Sequence, residues 1–304
     1  MILMAGPPSQ QLPELYLLKT LMTVAGEKSF SRAAEKLLRT QPAVSLAIQR
    51  LETQLDDRLI DRQGRNVILT DAGKLVMEYA RRFENLAREM EIALAELKDK
   101  RAGQLIIGAN ETTALYLLEH IYQYRRMYPK VKIQVRRSLS SRLPSDIIEG
   151  DLELGVISYE PYDARLVSKV IFTDHLAFVV SPQHRFARRR SVSIAELGME
   201  TFIAHNVLSP YRDIVLREFQ RHQVPLNMDV EMPTVETIRR MVQRNEGVAF
   251  LPRLCVEQEI RQKLLHEVEV KELKVERKIR LIYPANRVLS HAARAFLELF
   301  QTED

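Results

Sequence analysis

The 304-residue chain contains a single cysteine, Cys255, and lacks long apolar runs. One cysteine excludes an internal disulfide and suits a reducing compartment, and a small buried residue is favoured over a reactive thiol. No apolar run is long enough to cross a bilayer. Residues 1–13 lack the basic start of a secretory signal, so we expect a short disordered lead-in and a cytoplasmic protein.

The sequence also lacks motifs for metal binding, phosphate binding and a catalytic nucleophile. The seven histidines do not have the spacing of metal ligands. The sequence contains neither a glycine-rich phosphate loop nor a G-x-S-x-G motif. We therefore expect no metal, no cofactor and no enzymatic activity. An enzyme whose N-terminal part serves as a tether is the alternative left open.

What the chain does contain is an ordinary globular composition, 46% apolar and 28% charged, with enough length for two or three units. The net charge of +5 permits nucleic-acid binding without proving it. Residues 1–70 carry nine Lys/Arg and seven Asp/Glu, a difference of +2. Because bulk attraction would be weak, DNA binding here must depend on the placement of a few groups.

The N-terminal part has the pattern of three short helices. We predict a first helix over 14–25 that ends at Gly26, and a second that is capped by Ser31. A third begins near Thr40, with Pro42 in its first turn, where a missing amide hydrogen costs nothing. The expected inward residues are Ala33, Ala34, Leu37, Leu38, Val44, Ile48, Leu51 and Leu55. The opposite face of the third helix is mostly polar: Gln41, Pro42, Ser45, Leu46, Gln49 and Thr53.

Residues 58–73 follow with the pattern of a β-hairpin. Arg62 and Arg65 at its tip are placed to reach a DNA backbone or minor groove. We therefore predict a winged helix-turn-helix domain over 14–70, with its third helix in a DNA groove. The alternative is that these helices and the hairpin serve protein contact only.

Several short motifs carry a resemblance to a known family. They are Ser29-Phe30-Ser31 with Ala33-Ala34, the QPAVS segment 41–45, Leu51-Glu52, and Leu69-Thr70-x-Ala72-Gly73. Together they resemble the LysR-type transcriptional regulators, over essentially the whole chain. The resemblance and the exposed helix face give the expected DNA-contacting residues: Arg32, Thr40, Gln41, Pro42, Ser45, Leu46, Gln49, Arg62 and Arg65. Leu46 departs from a common arginine, and leucine contacts a thymine methyl rather than donating to guanine.

A long helix is predicted next, within a linker over 71–102. Its apolar residues alternate at spacings of four and three, the pattern of a coiled-coil seam: Ala72, Val76, Tyr79, Phe83, Leu86, Met90, Ala93 and Leu97. The seam predicts a homodimer that presents two winged units to an interrupted inverted repeat in double-stranded DNA. The family resemblance implies a dimer of dimers. One amphipathic helix packed on its own chain is the alternative.

From residue 103 onward, apolar strands alternate with amphipathic helices, which favours α/β structure with parallel sheets. The pattern restarts after Leu176 and predicts two α/β subdomains with a cleft between them. The expected fold class is thus α/β, with a winged helix-turn-helix domain rich in α-helix at the N-terminus. By resemblance, residues 103–304 form a periplasmic-binding-protein-like effector module. Its subdomain I covers about 103–174 and 284–304, and its subdomain II about 175–283.

A small-molecule effector is expected in this cleft, and its expected chemical class is a small anion. Three polar clusters follow predicted strands: Asn110, Thr112 and Thr113; Ser138, Ser140 and Ser141; His205, Asn206, Pro233 and Thr234. Hydroxyls and amides at helix N-termini bind anions, although plain N-capping explains each residue equally well. Glu111 would oppose an anion and favour an amine. The basic run 184–190 is interpreted as a solvated loop rather than a nucleic-acid site.

These features predict a ligand-responsive transcription factor without membrane partners. An effector would change the angle between the subdomains and so the geometry on DNA, through a differential affinity of typically ~1–3 kcal/mol. A DNA-architectural protein without a ligand is the third alternative.

Overall fold

The computed structural model describes residues 13–61, 67–98, 103–207 and 209–300, with the side chains of 95–98 excepted. Every helix in these ranges is too short or too polar to cross a lipid bilayer. The chain divides into two compact units, one formed by residues 1–98 with 149–151 and the other by the remaining residues.

The first unit contains four helices and a small hairpin. Their bounds are α1 Leu15–Glu27, α2 Phe30–Lys36, α3 Gln41–Leu55, β1 Ile60–Asp61, β2 Ile68–Leu69 and α4 Asp71–Lys98. Strands β1 and β2 pair antiparallel, so the predicted hairpin is present. The predicted α3 stripe is buried, with Val44, Ile48 and Leu51 at 0% exposure and Leu55 packed against the same core.

Three details of the helix ends differ from the sequence predictions. Helix α1 continues through Gly26 and ends at Glu27, and the capping residue Lys28 adopts a left-handed conformation. Helix α2 is capped by Ser29 rather than Ser31, because the Ser29 hydroxyl accepts the Arg32 amide. Leu38 is 91% exposed at φ 53°, because the chain has already left the helix there and turns outward.

Two of the motif residues join the hairpin to the helices. The Glu52 carboxylate accepts the amides of Leu59 and Ile60 at 3.0 and 3.3 Å and so ties α3 to β1. A β-carbon at Gly73 would stand 2.0 Å from the Leu59 carbonyl oxygen, so this position of α4 requires glycine. The Thr70 hydroxyl accepts the Gly73 amide at 2.9 Å and starts α4 at this point. Local contacts therefore explain the residue types at Glu52, Thr70 and Gly73 of the motifs.

The second unit alternates strands and helices. Its strands are β3 Gly103–Ala109, β4 Val131–Arg137, β5 Leu154–Ile157, β6 Leu166–Val180, β7 Ser191–Val192, β8 Thr201–His205, β9 Asn227–Met232, β10 Ala249–Pro252, β11 His266–Glu267, β12 Glu269–Val270 and β13 Glu276–Pro284. Its helices are α5 Leu118–Met127, α6 Leu143–Ile148, α7 Ile194–Leu197, α8 Pro210–Arg221, α9 Val235–Gln243, α10 Glu257–Arg261 and α11 His291–Glu298. Two 3₁₀ turns, Thr113–Leu117 and Arg253–Val256, precede α5 and α10.

A seven-stranded sheet runs through this unit in the order β10-β6-β13-β5-β3-β4, with β11 also paired to β6. Strand β3 pairs parallel with β4 and β5, as predicted. Strand β13 runs antiparallel to β5 and β6, so the sheet is mixed rather than parallel. Strands β8 and β9 form a separate parallel pair.

Strand β6 is the main element that the sequence predictions omitted in part. The sequence pattern that restarts after Leu176 corresponds only to its end, which pairs with β10 and β11. Residues 166–175 pair with β13 instead, and most of them are half-buried or exposed, so they lack an apolar run. The paired strands β6 and β13 therefore link the part of the sheet that holds β3–β5 to the part that holds β10.

Apolar clusters cover both faces of the sheet around β3 and β5. One face packs under the 3₁₀ turn, α5 and α11, with Tyr124 and Phe296 fully buried there. The other packs under α6 through Leu143 and Ile147. Separate clusters surround β8, β10 and helices α8 and α9. The last helix thus packs on the strands that begin the unit, in agreement with the predicted return of the chain.

Candidate functional site

The N-terminal half of α3 presents one exposed face. Thr40 caps the helix, and its hydroxyl accepts the Ala43 amide at 3.4 Å. Gln41, Pro42 and Gln49 are exposed, and Ser45 is half-buried beside them. Leu46 lies on the same face at 49% exposure. The structure therefore brings the predicted residues of α3 together on the side opposite the buried stripe.

Of the three arginines predicted to contact DNA, Arg32 lies within the described residues. Arg32 is exposed on α2, and its guanidinium donates to the carbonyl oxygen of Glu27, which fixes its stem beside the end of α1. Arg62 and Arg65 lie outside the described residues.

Helix α4 carries an exposed apolar row. Tyr79, Phe83, Leu86 and Met90 are 51%, 44%, 62% and 59% exposed, and Ala93 is exposed beyond them. The start of the predicted seam behaves differently, since Ala72 and Val76 pack partly against the core of their own unit. The side chain of Leu97 lies outside the described residues.

In the second unit, the first predicted cluster is an internally satisfied turn after β3. Asn110 accepts the amide of Thr113 at 2.8 Å and the hydroxyl of Thr112 at 3.0 Å. The Asn110 amide group donates to the Ser140 hydroxyl at 2.7 Å, which joins the turn to the segment after β4. Tyr159 also donates to the carbonyl of Ser140, at 2.8 Å. Burial raises the pKa of the Tyr159 hydroxyl, so it is a neutral donor.

The remaining serines of that segment are spread more widely. Ser138 donates to the Asp146 carboxylate at 3.0 Å, within its own loop and helix. Ser141 is exposed. The second cluster therefore contributes mainly Ser140 to the contacts around Asn110.

The third cluster lies at the ends of β8 and β9. Thr234 caps α9 by accepting the Thr237 amide at 3.2 Å. Asn206 and Pro233 are exposed. His205 is half-buried, and its Nε2 lies 3.7 Å from the carboxylate of Glu111. The other Glu111 oxygen accepts the amide of Val235, the first residue of α9, at 3.1 Å.

Glu111 therefore connects the predicted clusters across the cleft. It follows Asn110 directly, and it reaches the third cluster through His205 and the start of α9. The sequence analysis considered only its negative charge, because its partners lie 94 and 124 residues farther along the chain.

A buried polar group at the paired strands β6 and β13 was not predicted. Asp174 and Arg277 are paired in register, and each side chain is 4% exposed. Arg277 donates to the Asp174 carboxylate and to the Tyr116 hydroxyl, at 3.3 Å each. The Arg277 guanidinium also lies 4.8 Å above the Tyr211 ring. Tyr211 donates to the carbonyl of Ser158, and burial raises the pKa of both tyrosine hydroxyls.

Other possible sites are weaker. A groove of about 800 Å³ lies along residues 173–178 and 267–276, and it includes none of the predicted effector residues. In the basic run 184–190, Arg185 and Arg189 form ion pairs with Glu200 and Glu196, which supports the interpretation as a surface loop. The described ranges hold no cluster of His, Cys, Asp and Glu that could bind a metal ion.

Comparison with known proteins accounts for both units. A family model described as the LysR substrate binding domain matches residues 98–304. A second, described as the bacterial regulatory helix-turn-helix protein of the lysR family, matches residues 15–74. The chain belongs to the LysR family. It is a transcriptional regulator with a helix-turn-helix DNA-binding domain and an effector-binding module of two subdomains, which confirms the predicted fold class and function.

One curated relative supports this membership, and two solved structures share the fold. A probable RuBisCO transcriptional regulator of Cyanophora paradoxa is 32% identical over 297 residues, which cover 95% of this chain and 92% of the relative. Full-length CbnR complexed with its target DNA has a TM-score of 0.72 at 17% identity and covers 95% of this chain and 99% of that one. The Synechocystis PCC6803 CcmR regulatory domain in complex with 2-PG has a TM-score of 0.59 at 19% identity, over 65% of this LysR-family chain and 95% of that one.

Proposed function

We propose that this LysR-family regulator reads an interrupted inverted repeat as a dimer, with the N-terminal half of α3 of each copy in a major groove. The observation that carries the proposal is the exposed polar face from Gln41 to Gln49, held opposite a fully buried stripe. The start of α3 also favours DNA binding, because the helix dipole and the free backbone amides at a helix N-terminus attract phosphates.

Dimerisation through α4 is part of the proposal. The exposed row Tyr79, Phe83, Leu86 and Met90 recurs at spacings of four, three and four, which suits a partner helix with the same row. Two copies of the winged unit then contact half-sites about 34 Å apart or a multiple of that distance. A dimer of dimers would extend the same arrangement to two pairs of half-sites.

We also propose that a small-molecule effector binds between the two subdomains and shifts this geometry. The polar groups that support the site are Asn110, Ser140 and Tyr159 on one side of the cleft, and His205 and the start of α9 on the other. The CcmR regulatory domain was solved with 2-PG, which makes 2-PG the first effector to test.

DNA reading is tested by selecting binding sites for the full chain from a random duplex library and footprinting the selected sites. The expected result is two protected zones on one face of the duplex. Gln41→Ala and Ser45→Ala should lose affinity for some selected sites by roughly 10-fold or more and for others far less, because base contacts discriminate by about 1–3 kcal/mol. The control is Gln54→Ala, at an exposed position near the end of α3. Equal losses at every site would contradict base reading.

The effector is tested by thermal shift of the full chain with 2-PG. A ligand at 100 times its Kd stabilises the protein by about 2.7 kcal/mol, which raises the melting temperature. Asn110→Ala and Ser140→Ala should weaken the shift. A shift that survives both substitutions would place the ligand elsewhere, and the groove along residues 173–178 and 267–276 would then be tested next.

A further inference from the structure

Glu111 reaches from one subdomain to the other. It is the second residue after β3, and its Oε1 accepts the backbone amide of Val235 at 3.1 Å. Its Oε2 lies 3.7 Å from Nε2 of His205, at the end of β8. The carboxylate thus faces two hydrogen-bond donors that belong to separate elements of the opposite subdomain.

The hydrogen bonds of His205 indicate which ring nitrogen carries the proton. Nδ1 lies 3.1 Å from the Val207 amide, which can only donate, so Nδ1 is the acceptor. The proton of the neutral ring is therefore on Nε2, the nitrogen that faces Glu111. Arg212 donates to the His205 carbonyl at 3.2 Å and to the Glu231 carboxylate at 2.6 Å, which holds the end of β8 in place.

The Val235 amide at the start of α9 is available to an acceptor from outside the helix. Thr234 uses its hydroxyl to cap the Thr237 amide at 3.2 Å, so it does not serve Val235. The Val235 amide is one of the first-turn donors that lack a partner inside a helix, and the helix dipole favours a negative group there. In this structure that group is the Glu111 carboxylate.

The second carboxylate oxygen of Glu111, Oε2, lacks a hydrogen bond from the described residues. It is shielded from solvent and accepts no hydrogen bond from the part of the chain that the structure describes. Burying a carboxylate oxygen without a hydrogen-bond donor costs free energy. The contact of Glu111 with the opposite subdomain is therefore weaker than it would be if both oxygens accepted hydrogen bonds. A ligand whose acceptor atoms satisfy both Val235 and His205 can therefore compete with it.

We propose that Glu111 is an intramolecular latch: its carboxylate accepts the Val235 amide and lies against Nε2 of His205, the two donors that an acceptor group of a cleft ligand would use, and so holds the subdomains together. This inference rests on the proposed effector cleft. An effector that offers a carboxylate or phosphate to Val235 and His205 displaces Glu111, releases the contact between the subdomains and lets them separate. The residue thereby sets both the ligand class that binds here and the direction of the movement.

The test is amide hydrogen exchange on the full chain, read over residues 233–238. Glu111→Ala should speed exchange of the Val235 amide about 10-fold or more, as expected for losing one hydrogen bond to a charged group. The control is Glu298→Ala, which removes an exposed carboxylate of the first subdomain away from the cleft. Unchanged exchange in Glu111→Ala, or an equal change in the control, overturns the latch.

Sodium formate is the second arm of the test. Added carboxylate should restore slow exchange at Val235 in Glu111→Ala in a saturable manner, whereas sodium chloride of equal ionic strength should not. The parent should show no such response, because its own carboxylate is in place. Restoration by both salts, or by neither, overturns the proposal. Glu111→Gln serves as a variant of unchanged size, with faster exchange at Val235 expected.

Neither arm involves DNA or 2-PG, so the latch and the proposed function can fail separately. If Glu111 slows exchange of the Val235 amide but 2-PG gives no thermal shift, the latch is supported and 2-PG is excluded as the effector. A 2-PG shift of the same size in the parent and in Glu111→Ala supports the effector and overturns the competition with Glu111.

Discussion

Removing the charge of Asp174 should destabilise the effector-binding module severely. Asp174 and Arg277 are each 4% exposed, and Asp174 also accepts the Tyr116 hydroxyl. Asp174→Asn keeps the shape but leaves a buried guanidinium without its counter-charge. Breaking a buried pair by removing one partner costs about 3–5 kcal/mol.

The size of the effect follows from the size of the module. For a unit of 150–250 residues, each kcal/mol lowers the melting temperature by about 2–4 °C, so we expect a fall of roughly 6–20 °C. The chain has no tryptophan, so calorimetry or circular dichroism at 222 nm should follow the transition. The control is Asp163→Asn, which disturbs an exposed ion pair with Arg165 and should change the melting temperature far less.

A double variant separates the cost of an unpaired charge from the value of the pair. Asp174→Leu combined with Arg277→Met removes both charges and keeps a similar volume, so it should be less destabilised than Asp174→Asn. A melting temperature for Asp174→Asn within about 2 °C of the parent would refute the reasoning. So would a double variant that melts as low as the single one.

Three further predictions concern other parts of the chain. Gly73→Ala should destabilise the first unit by about 1–3 kcal/mol in a thermal melt, because its β-carbon meets a backbone oxygen; Gly26→Ala, with open space around it, should stabilise it by up to ~1 kcal/mol. Replacing Phe83 and Leu86 with Asp should give monomers by light scattering, and persisting oligomers would exclude the α4 row as the interface. Burial raises the pKa of the Cys255 thiol to about 12, so it should react with a thiol reagent at pH 8 only as the module unfolds, and rapid labelling of the native chain would contradict this.

The thiol also implies a pH dependence with a definite sign. A folded pKa raised to about 12 means that the folded chain keeps a proton which the unfolded chain loses from about pH 9 upward. Stability from this group is therefore complete below pH 9 and declines between about pH 9 and 12. Cys255→Ala should remove that part of the decline in urea titrations at pH 8 and pH 10, and an identical decline in the parent would show that another group is responsible.

The first unit could be predicted closely because its signals are local. The cap at Thr40, the proline that follows it and the buried stripe of α3 each act within a few residues. The errors are local too: Ser29 and Ser31 both suit an N-cap, and only the hydrogen bond to Arg32 distinguishes them. Leu38 has an apolar side chain, but the backbone turn after α2 points it outward.

The sequence predicted where polar residues follow the strands, and not which of them contact one another. Strand ends and helix starts gave the three clusters, since polar residues recur there in α/β proteins. The bond between Asn110 and Ser140 joins two such ends 30 residues apart. Glu111 with Val235, and Asp174 with Arg277, join residues more than 100 apart, and no periodicity in a single sequence relates them.

The contacts between the subdomains include several directional polar ones, and this bears on how an effector could act. Glu111 bonds Val235, Tyr211 bonds the Ser158 carbonyl, and Arg277 joins tyrosines from both sides. A single hydrogen bond contributes a net ~0.5–1.5 kcal/mol, the same order as a typical allosteric coupling of ~1–3 kcal/mol. An effector that replaces one of these bonds therefore changes the free-energy difference between two arrangements of the subdomains by an amount comparable to a typical allosteric coupling. The Glu111 contact is the one whose donors a ligand can take without disturbing a buried charge pair, so it is where we expect ligand binding and subdomain movement to be coupled.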